Sequence, residues 1–486
     1  MPIELTNSYA ELPERFYAPV QPATPPEASL IKLNGPLAER LGFSLPELTS
    51  PAGIGLLAGA DFPRGLTPVA MVYAGHQFGS WAPRLGDGRA MLLGEIMAPS
   101  GVVFDLHLKG SGPTQYSRGG DGKATLGAVL REYLVSEAMF GLGIPTTRAL
   151  AVIATGEQIM REKPLPSAVL ARIAQSHIRV GTFQYFYGQK DREALKLLLN
   201  FVLARHCPEA MEAENPALSL LKTVMERQAD LVASWMQMGF IHGVMNTDNM
   251  SISGETIDYG PCAFMDAYHP ATVFSSIDQQ GRYAWANQPA MAHWNLAQLA
   301  QSLLPLIGSD PKQAAEAAQQ VLDGFSDQFQ AAYETRFARK LGLGQFGSHD
   351  GALIQSLMAE MQEVGADFTQ CFRLLTKGWQ QDDLSELRVV FGNSSAFEHW
   401  LTRWKNRLKQ DDPAEVRTRM ASANPIYIAR NHRVEQAIDA ANDGDFTLFE
   451  TLLKVVAKPF EEQTEFDEYE NAPREDEVVR ETYCGT

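Results

Sequence analysis

The chain has 486 residues, 45% hydrophobic and 20% charged, the balance of a well-cored globular protein and not of a disordered one. Its net charge of -17 repels nucleic acid and anionic membrane surfaces and so excludes both as general partners, while leaving a nucleotide acceptable wherever arginines gather locally. Cys207, Cys262, Cys371 and Cys484 lie far apart without metal-ligand spacing. The first thirty residues hold no signal-type apolar core, and no window approaches the roughly 18 apolar residues of a membrane span. A cytoplasmic protein is therefore expected.

Residues 1–65 predict an extended arm followed by short helices. Pro13, Pro19, Pro22, Pro25 and Pro26 interrupt any helix before residue 35, and Pro36 is expected at the first turn of a helix after it. Residues 66–185 predict a strand-rich lobe. Ala90–Ile96 and Val102–Lys109 read as strands, as do residues 149–154 and 168–173. Leu126, Val129, Leu130, Tyr133, Leu134 and Ala138 space a helix between them. Residues 186–330 predict a helical lobe, with a helix from Ser219 to Met238 leading into a polar loop. Residues 331–486 predict a helical extension whose end, 461–480, has nine acids against two arginines and is expected to be solvated and mobile. The plan is that of an α+β enzyme with two lobes and a cleft between them.

The loop is His242-Gly-Val-Met-Asn-Thr-Asp248-Asn249. After it, Met250–Ser253 and Thr256–Asp258 are expected to pair as a tight hairpin around Gly254-Glu255, bringing Asn249 and Asp258 together as oxygen ligands for a divalent ion. Gly260 leaves room for a sharp turn after Asp258. Set against the kinase loop His-Arg-Asp-x-x-x-x-Asn, the position of the catalytic aspartate falls on Val244, which accepts no proton. Asp248 offers an acid beside Asn249 instead. Upstream, Lys109 ends a strand and Glu132 lies on the next helix, the order of a phosphate-holding lysine and its partner. Gly86-Asp-Gly88-Arg89 and Gly119-Gly-Asp121-Gly122 are turns whose amides suit phosphate, and Arg89, Arg172 and Arg179 are the cationic candidates.

The strings running from Gly75 to Arg89, Lys109 to Gly122 and His242 to Asn249 resemble the selenoprotein O family, called YdiU in bacteria, and the similarity covers nearly the whole chain. The resemblance implies a two-lobed protein-kinase-like fold that binds ATP inverted and transfers AMP to Ser, Thr or Tyr hydroxyls of proteins, its own chain included. UTP with manganese is the alternative donor. It implies Asp248 as base, Asn249 and Asp258 as ligands of Mg2+ or Mn2+, and Gly86, Gly88, Arg89, Lys109, Asp121, Gly122, Arg172, Arg179 and Asp258 as nucleotide contacts, with Glu132 supporting Lys109. Animal members carry selenocysteine third from the end, which implies a redox role for Cys484. The segment Thr272–Ser276, where some bacterial members have a second cysteine, has none here. A conventional phosphotransferase and a non-catalytic nucleotide-binding pseudokinase remain the competing readings.

Overall fold

A computed structural model describes residues 4–21, 23–392 and 394–483. Its first part is a twisted antiparallel sheet. The strands are β1 (Tyr17–Pro19), β2 (Ser29–Leu33), β3 (Val69–Met71), β6 (Ala90–Met97), β7 (Val103–Lys109), β8 (Ala124–Thr125), β9 (Arg148–Met160) and β10 (Pro164–Ala174). They run in the order β1-β3-β6-β7-β10-β9-β2, with β8 pairing β10. A separate hairpin, β4 (Gly75–Gln77) and β5 (Ser80–Ala82), stands off the sheet. The proline-rich arm is thus not free. Its prolines stop helices, as expected, yet two short stretches between them close both edges of the sheet, because an extended chain with open N–H and C=O groups is the cheapest cover for an edge strand.

Strand alternation assigns the two faces. Leu106 and Leu108 of β7 and Val169, Ala171 and Ile173 of β10 are buried against the short helices α1 (Gly35–Leu41), α2 (Leu45–Leu48) and α3 (Pro51–Leu57). Each such leucine contributes about 1.5–3 kcal/mol by leaving water. Asp105, His107 and Lys109 therefore face the other way with Arg172, and a polar row lies on the face that the rest of the protein covers.

Helix α4 (Leu126–Gly141) covers that face. Thr125 caps it by accepting the Ala128 N–H, and Leu126, Val129, Leu130, Tyr133 and Leu134 pack below. After it come α5 (Val180–Gly188), α6 (Arg192–His206) and α7 (Pro216–Gln237), the last with Asn215 as cap and Pro216 in its first turn. Gly239, at φ +69°, ends α7 and starts the loop. Short strands β11 (Phe240–Ile241) and β12 (Ala263–Phe264) pair across the loop's two ends. Helix α8 (Gln288–Ile307) and further helices between Pro311 and Val456 complete the chain.

Two expectations are corrected here. Met250–Ser253 and Thr256–Asp258 do not pair with each other. Met250 and Ile252 instead bond with Val180 and Ile178, and Thr256 bonds with Pro145 and Thr147. The two connections that leave the sheet supply closer edges than a hairpin would, and Ser251, Ser253 and Glu255 satisfy one another in the turn. The acidic tail is also not loose. Glu462 and Glu470 pair with Arg373, Tyr469 is buried, and Thr482 exchanges backbone hydrogen bonds with Phe274 and Ser276 while its hydroxyl donates to the Pro261 carbonyl. Arginines on the preceding helices give the tail's acids partners that a local charge count does not see. Cys484 lies outside the described residues.

Candidate active site

The cleft has a floor built by three elements that converge at Asp258. Lys109 comes from the end of β7, Arg172 from β10 and Arg179 from the turn into α5. Lys109 Nζ lies 3.0 Å and Arg172 Nη1 2.7 Å from Asp258 Oδ1, and Arg179 Nη1 lies 2.6 Å from Oδ2. Glu132 of α4 adds a second acid, 2.6 Å from Lys109 and 3.0 Å from Arg172. Two acids and three bases alternate, so the floor carries an excess cation in a chain that is strongly acidic elsewhere. Burial pushes the Asp258 carboxyl up, but Lys109, Arg179 and Arg172 outweigh it and hold the group well below the usual carboxylate range. Burial likewise opposes ionisation of Glu132, and Lys109 and Arg172 reverse it. The sharp turn expected at Gly260 sits on Asp258 itself, at φ +62°, with Gly260 N–H donating back to the Asp258 carbonyl. Aspartate is among the few side chains that tolerate this left-handed backbone.

The loop is held from all sides. His242 is buried, its Nε2 within 2.9 Å of the Ile257 carbonyl and its Nδ1 accepting the Val244 N–H, which puts the ring proton on Nε2. The ring thereby ties the loop to the residue before Asp258. Asn249 Nδ2 donates to the Val244 carbonyl at 3.0 Å, which leaves Oδ1 as the amide's atom for a cation. Hairpin β4–β5 lies across the loop: His76 N–H donates to Thr247 Oγ1, Phe78 N–H and the Tyr283 hydroxyl both donate to Asn246 Oδ1. The approach is so close that a Cβ on Gly75 would stand 2.4 Å from Asp248 Oδ1.

Asp248 is the opposite of Asp258. Its Oδ1 is buried with no hydrogen-bond partner, although its backbone carbonyl accepts from Arg179 at 2.7 Å. Burial, only partly offset by Arg179, raises its carboxyl to about 6. It therefore ionises at neutral pH yet remains basic enough to take a proton.

Gly88, Arg89, Lys109, Arg172, Arg179, Val244, Asp248, Asn249 and Asp258 line one cavity of about 400 Å³. Gly86, Gly88, Arg89, Asp121 and Gly122 line a second of about 500 Å³, and Tyr73, Gly88 and Arg89 belong to both walls. The residues singled out from the sequence thus fall along one continuous cleft, with Glu132 behind Lys109. Asp121 stands apart from the charged floor, gripped by the Arg161 guanidinium at 2.9 and 3.1 Å. Gly86, at φ +104°, packs on the Tyr116 ring, where a Cβ would come within 2.4 Å.

The family model described as protein adenylyltransferase SelO matches residues 1–457. The chain belongs to the SelO family. It is 53% identical to the protein nucleotidyltransferase YdiU of Bradyrhizobium diazoefficiens, over 99% of this chain and 98% of that one. It is 54% identical to the YdiU protein of Rhodopseudomonas palustris strain HaA2, with the same coverage, and 52% to that of Rhizobium etli strain CIAT 652, over 99% and 97%. This SelO protein is accordingly an adenylyltransferase with ATP as its substrate. No helix among its described residues is long and apolar enough to cross a membrane.

Several residues of the SelO cleft escaped the sequence reading. Tyr73 lines both cavities and lies 4.7 Å under the Arg179 guanidinium. Nothing local marks it. Arg131, beside Glu132, donates to the Cys262 carbonyl and to Asn431 Oδ1 and pairs with Glu435, so the C-terminal helices hold the segment after Asp258. Asp87 and His107 were readable. Asp87 sits between two glycines, and Asp105, His107 and Lys109 form a polar row at period two inside an apolar strand.

Proposed function

We propose that this chain transfers AMP from ATP to Ser, Thr or Tyr hydroxyls of proteins, with the nucleotide inverted relative to a kinase and pyrophosphate released. The reading takes the sheet with α4 and the following helices as the two lobes of a protein-kinase-like fold, supported by the order Lys109, Glu132, Asn249, Asp258 along the chain and their convergence on one cleft. The observation that carries it is the pair of carboxylates: Asp248, buried with an unpartnered oxygen, shares a cavity with Asp258 and its three cations, while apolar Val244 stands where a kinase has its acid.

In this reading the acceptor hydroxyl gives its proton to Asp248 as its oxygen bonds to the α-phosphorus. The bond from that phosphorus to the bridging oxygen breaks, and the electron pair leaves with pyrophosphate. Lys109, Arg172 and Arg179, already oriented around Asp258 and largely buried, would stabilise the charge that develops there. Arg89, Gly86, Gly88, Asp121 and Gly122 line the remainder of the nucleotide's path. Among the described residues no group of three or more His, Cys, Asp or Glu side chains forms a metal cage. Asn249 and Asp258 alone suit Mg2+ or Mn2+, hard ions that take most of their oxygens from phosphates and water. When bound, the ion would be held by Asn249 and Asp258 and would offset the charge of the phosphates.

The test is incubation with Mg2+ or Mn2+ and ATP labelled at the α- or the γ-phosphate, followed by detection of labelled protein. Label from the α-position alone is expected. Label from γ alone overturns the proposal in favour of phosphoryl transfer. Nucleotide binding without any label favours a non-catalytic role. The same assay with α-labelled UTP decides the donor base.

A further inference from the structure

Arg172 is buried to 2% exposure, and a guanidinium so placed must have its N–H groups matched. Nη1 reaches Glu132 and Asp258. Nε points elsewhere, to His107 Nδ1 at 3.2 Å. The two residues are cross-strand partners in the β7–β10 register, so the contact is fixed by the sheet and not by a flexible loop. For Arg172 Nε to donate, His107 Nδ1 carries no proton, and the ring hydrogen lies on Nε2. That nitrogen faces Asp87 Oδ2 at 3.2 Å. Asp87 Oδ2 also accepts the Met71 N–H, and Oδ1 lies 3.9 Å from Arg179 Nη2. Asp87 itself stands between Gly86 and Gly88, in the turn that lines both cavities. The chain Asp87–His107–Arg172 thus links the glycine turn to the charged floor through fully buried groups.

A second imidazole supplies the control. His177 stacks on His107, ring centres 4.1 Å apart and planes 15° apart. It is equally buried, and it too is held by a carboxylate, Asp105, at 3.0 Å, which Arg205 in turn grips at 2.6 Å. No hydrogen bond joins His177 to Arg172, Lys109, Arg179 or Asp258 among those described.

We propose that His107, oriented by Asp87, is a positioning residue for the transfer reaction, holding the Arg172 guanidinium at the angle from which it meets the nucleotide's phosphates. The inference rests on Arg172 facing phosphate, as the proposed function has it. Asp258, one of the two acids that hold Nη1, would change its surroundings when nucleotide and metal arrive. The anchor at Nε does not, since it lies inside the sheet. A ring that only filled space would serve packing but leave the guanidinium held at Nη1 alone, with its tilt unfixed at Nε. Misplacement of this order at a reacting centre reduces rates by on the order of 100-fold.

The experiment compares His107→Phe, His107→Asn, His107→Gln and His177→Phe by melting temperature and by kcat and KM for ATP in α-label transfer. Asparagine can set an oxygen where Nδ1 was; glutamine extends its amide toward Nε2. We expect His107→Phe to lower kcat by on the order of 100-fold with KM changed less than about threefold. His107→Asn should recover most of that, and His107→Gln should not. His177→Phe should lower the melting temperature but keep kcat within about threefold. In an Arg172→Lys background, His107→Phe should cause no further loss, since the two act as one unit. Activity falling in step with stability at both histidines overturns the proposal, as does full additivity with Arg172→Lys. If His107→Phe does not fold, the Asn–Gln pair decides: equal rates overturn it. Should wild-type enzyme transfer label from the γ-position only, the transfer reading fails while these same ratios, measured on that label, still judge His107.

Discussion

Asp248 and Asp258 stand ten positions apart in the chain and in the wall of one cavity, yet their surroundings drive them in opposite directions. Both are desolvated. Asp258 is met by Lys109, Arg172 and Arg179 within 3.0 Å and stays ionised; Asp248 has a bare buried oxygen and holds its proton up to about 6. The difference teaches that burial alone does not assign a role. A carboxylate locked among cations is a fixed charge that orients those cations and gives up no useful basicity. One that is buried with one oxygen unpartnered is suited to take up a proton. In the proposed function, placing both in one cleft separates binding from proton transfer.

The contrast breaks most completely at Asp258. Asp258→Ala should abolish transfer, by at least about 1000-fold, and lower the melting temperature of the nucleotide-free protein, since Lys109 and Arg172 then share only Glu132 and Arg179 keeps only the more distant Asp87. A variant with near wild-type turnover removes Asp258 from the metal site. At Asp248 the expected loss is in chemistry: Asp248→Asn should reduce kcat by roughly 100- to 10,000-fold with KM for ATP within about threefold. An equal loss in nucleotide affinity argues against the role as base. Glu132→Gln should cost less, about 10-fold in transfer, because Asp258 still holds Lys109 and Arg172; no change in rate would make the ion pair purely structural.

The smallest effect is on stability against pH in the protein free of metal and nucleotide. Asp248 has a folded value of about 6, above its ordinary 3.8, so the folded state binds the extra proton between these limits. Its contribution is fully present below pH 4 and is lost as pH rises through 6, amounting to about 2–3 kcal/mol. Asp248→Asn should therefore flatten the wild-type decline in melting temperature between pH 4 and 7. Identical slopes in the two proteins would show that Asp248 is not the group responsible.

Much of this cleft was legible before any coordinates. The strand-like run ending at Lys109 and the helical spacing of α4 are local patterns, and they place Lys109 and Glu132 on elements that do meet. The loop's polar residues and the missing acid at Val244 were equally plain. What failed was pairing at a distance. Met250–Ser253 and Thr256–Asp258 have the length and turn of a hairpin, but backbone donors bond the edges that come closest, and those belong to residues 145–147 and 178–180. The tail's nine acids read as solvated because Arg373 and Arg430, which meet its segment, are far away in sequence.

By itself, then, the sequence determined the strand of Lys109, the helix of Glu132 and the order in which lysine, glutamate, asparagine and aspartate arrive at the cleft, since periodicity, capping and spacing are short-range properties of the chain. Only the tertiary structure decided that the proton affinities of Asp248 and Asp258 shift in opposite directions, that His107 faces Arg172 across β7 and β10, and that the C-terminal segment returns to Pro261. Desolvation and long-range hydrogen bonding depend on which distant segments exclude water from one another, and that is settled only when the whole chain packs.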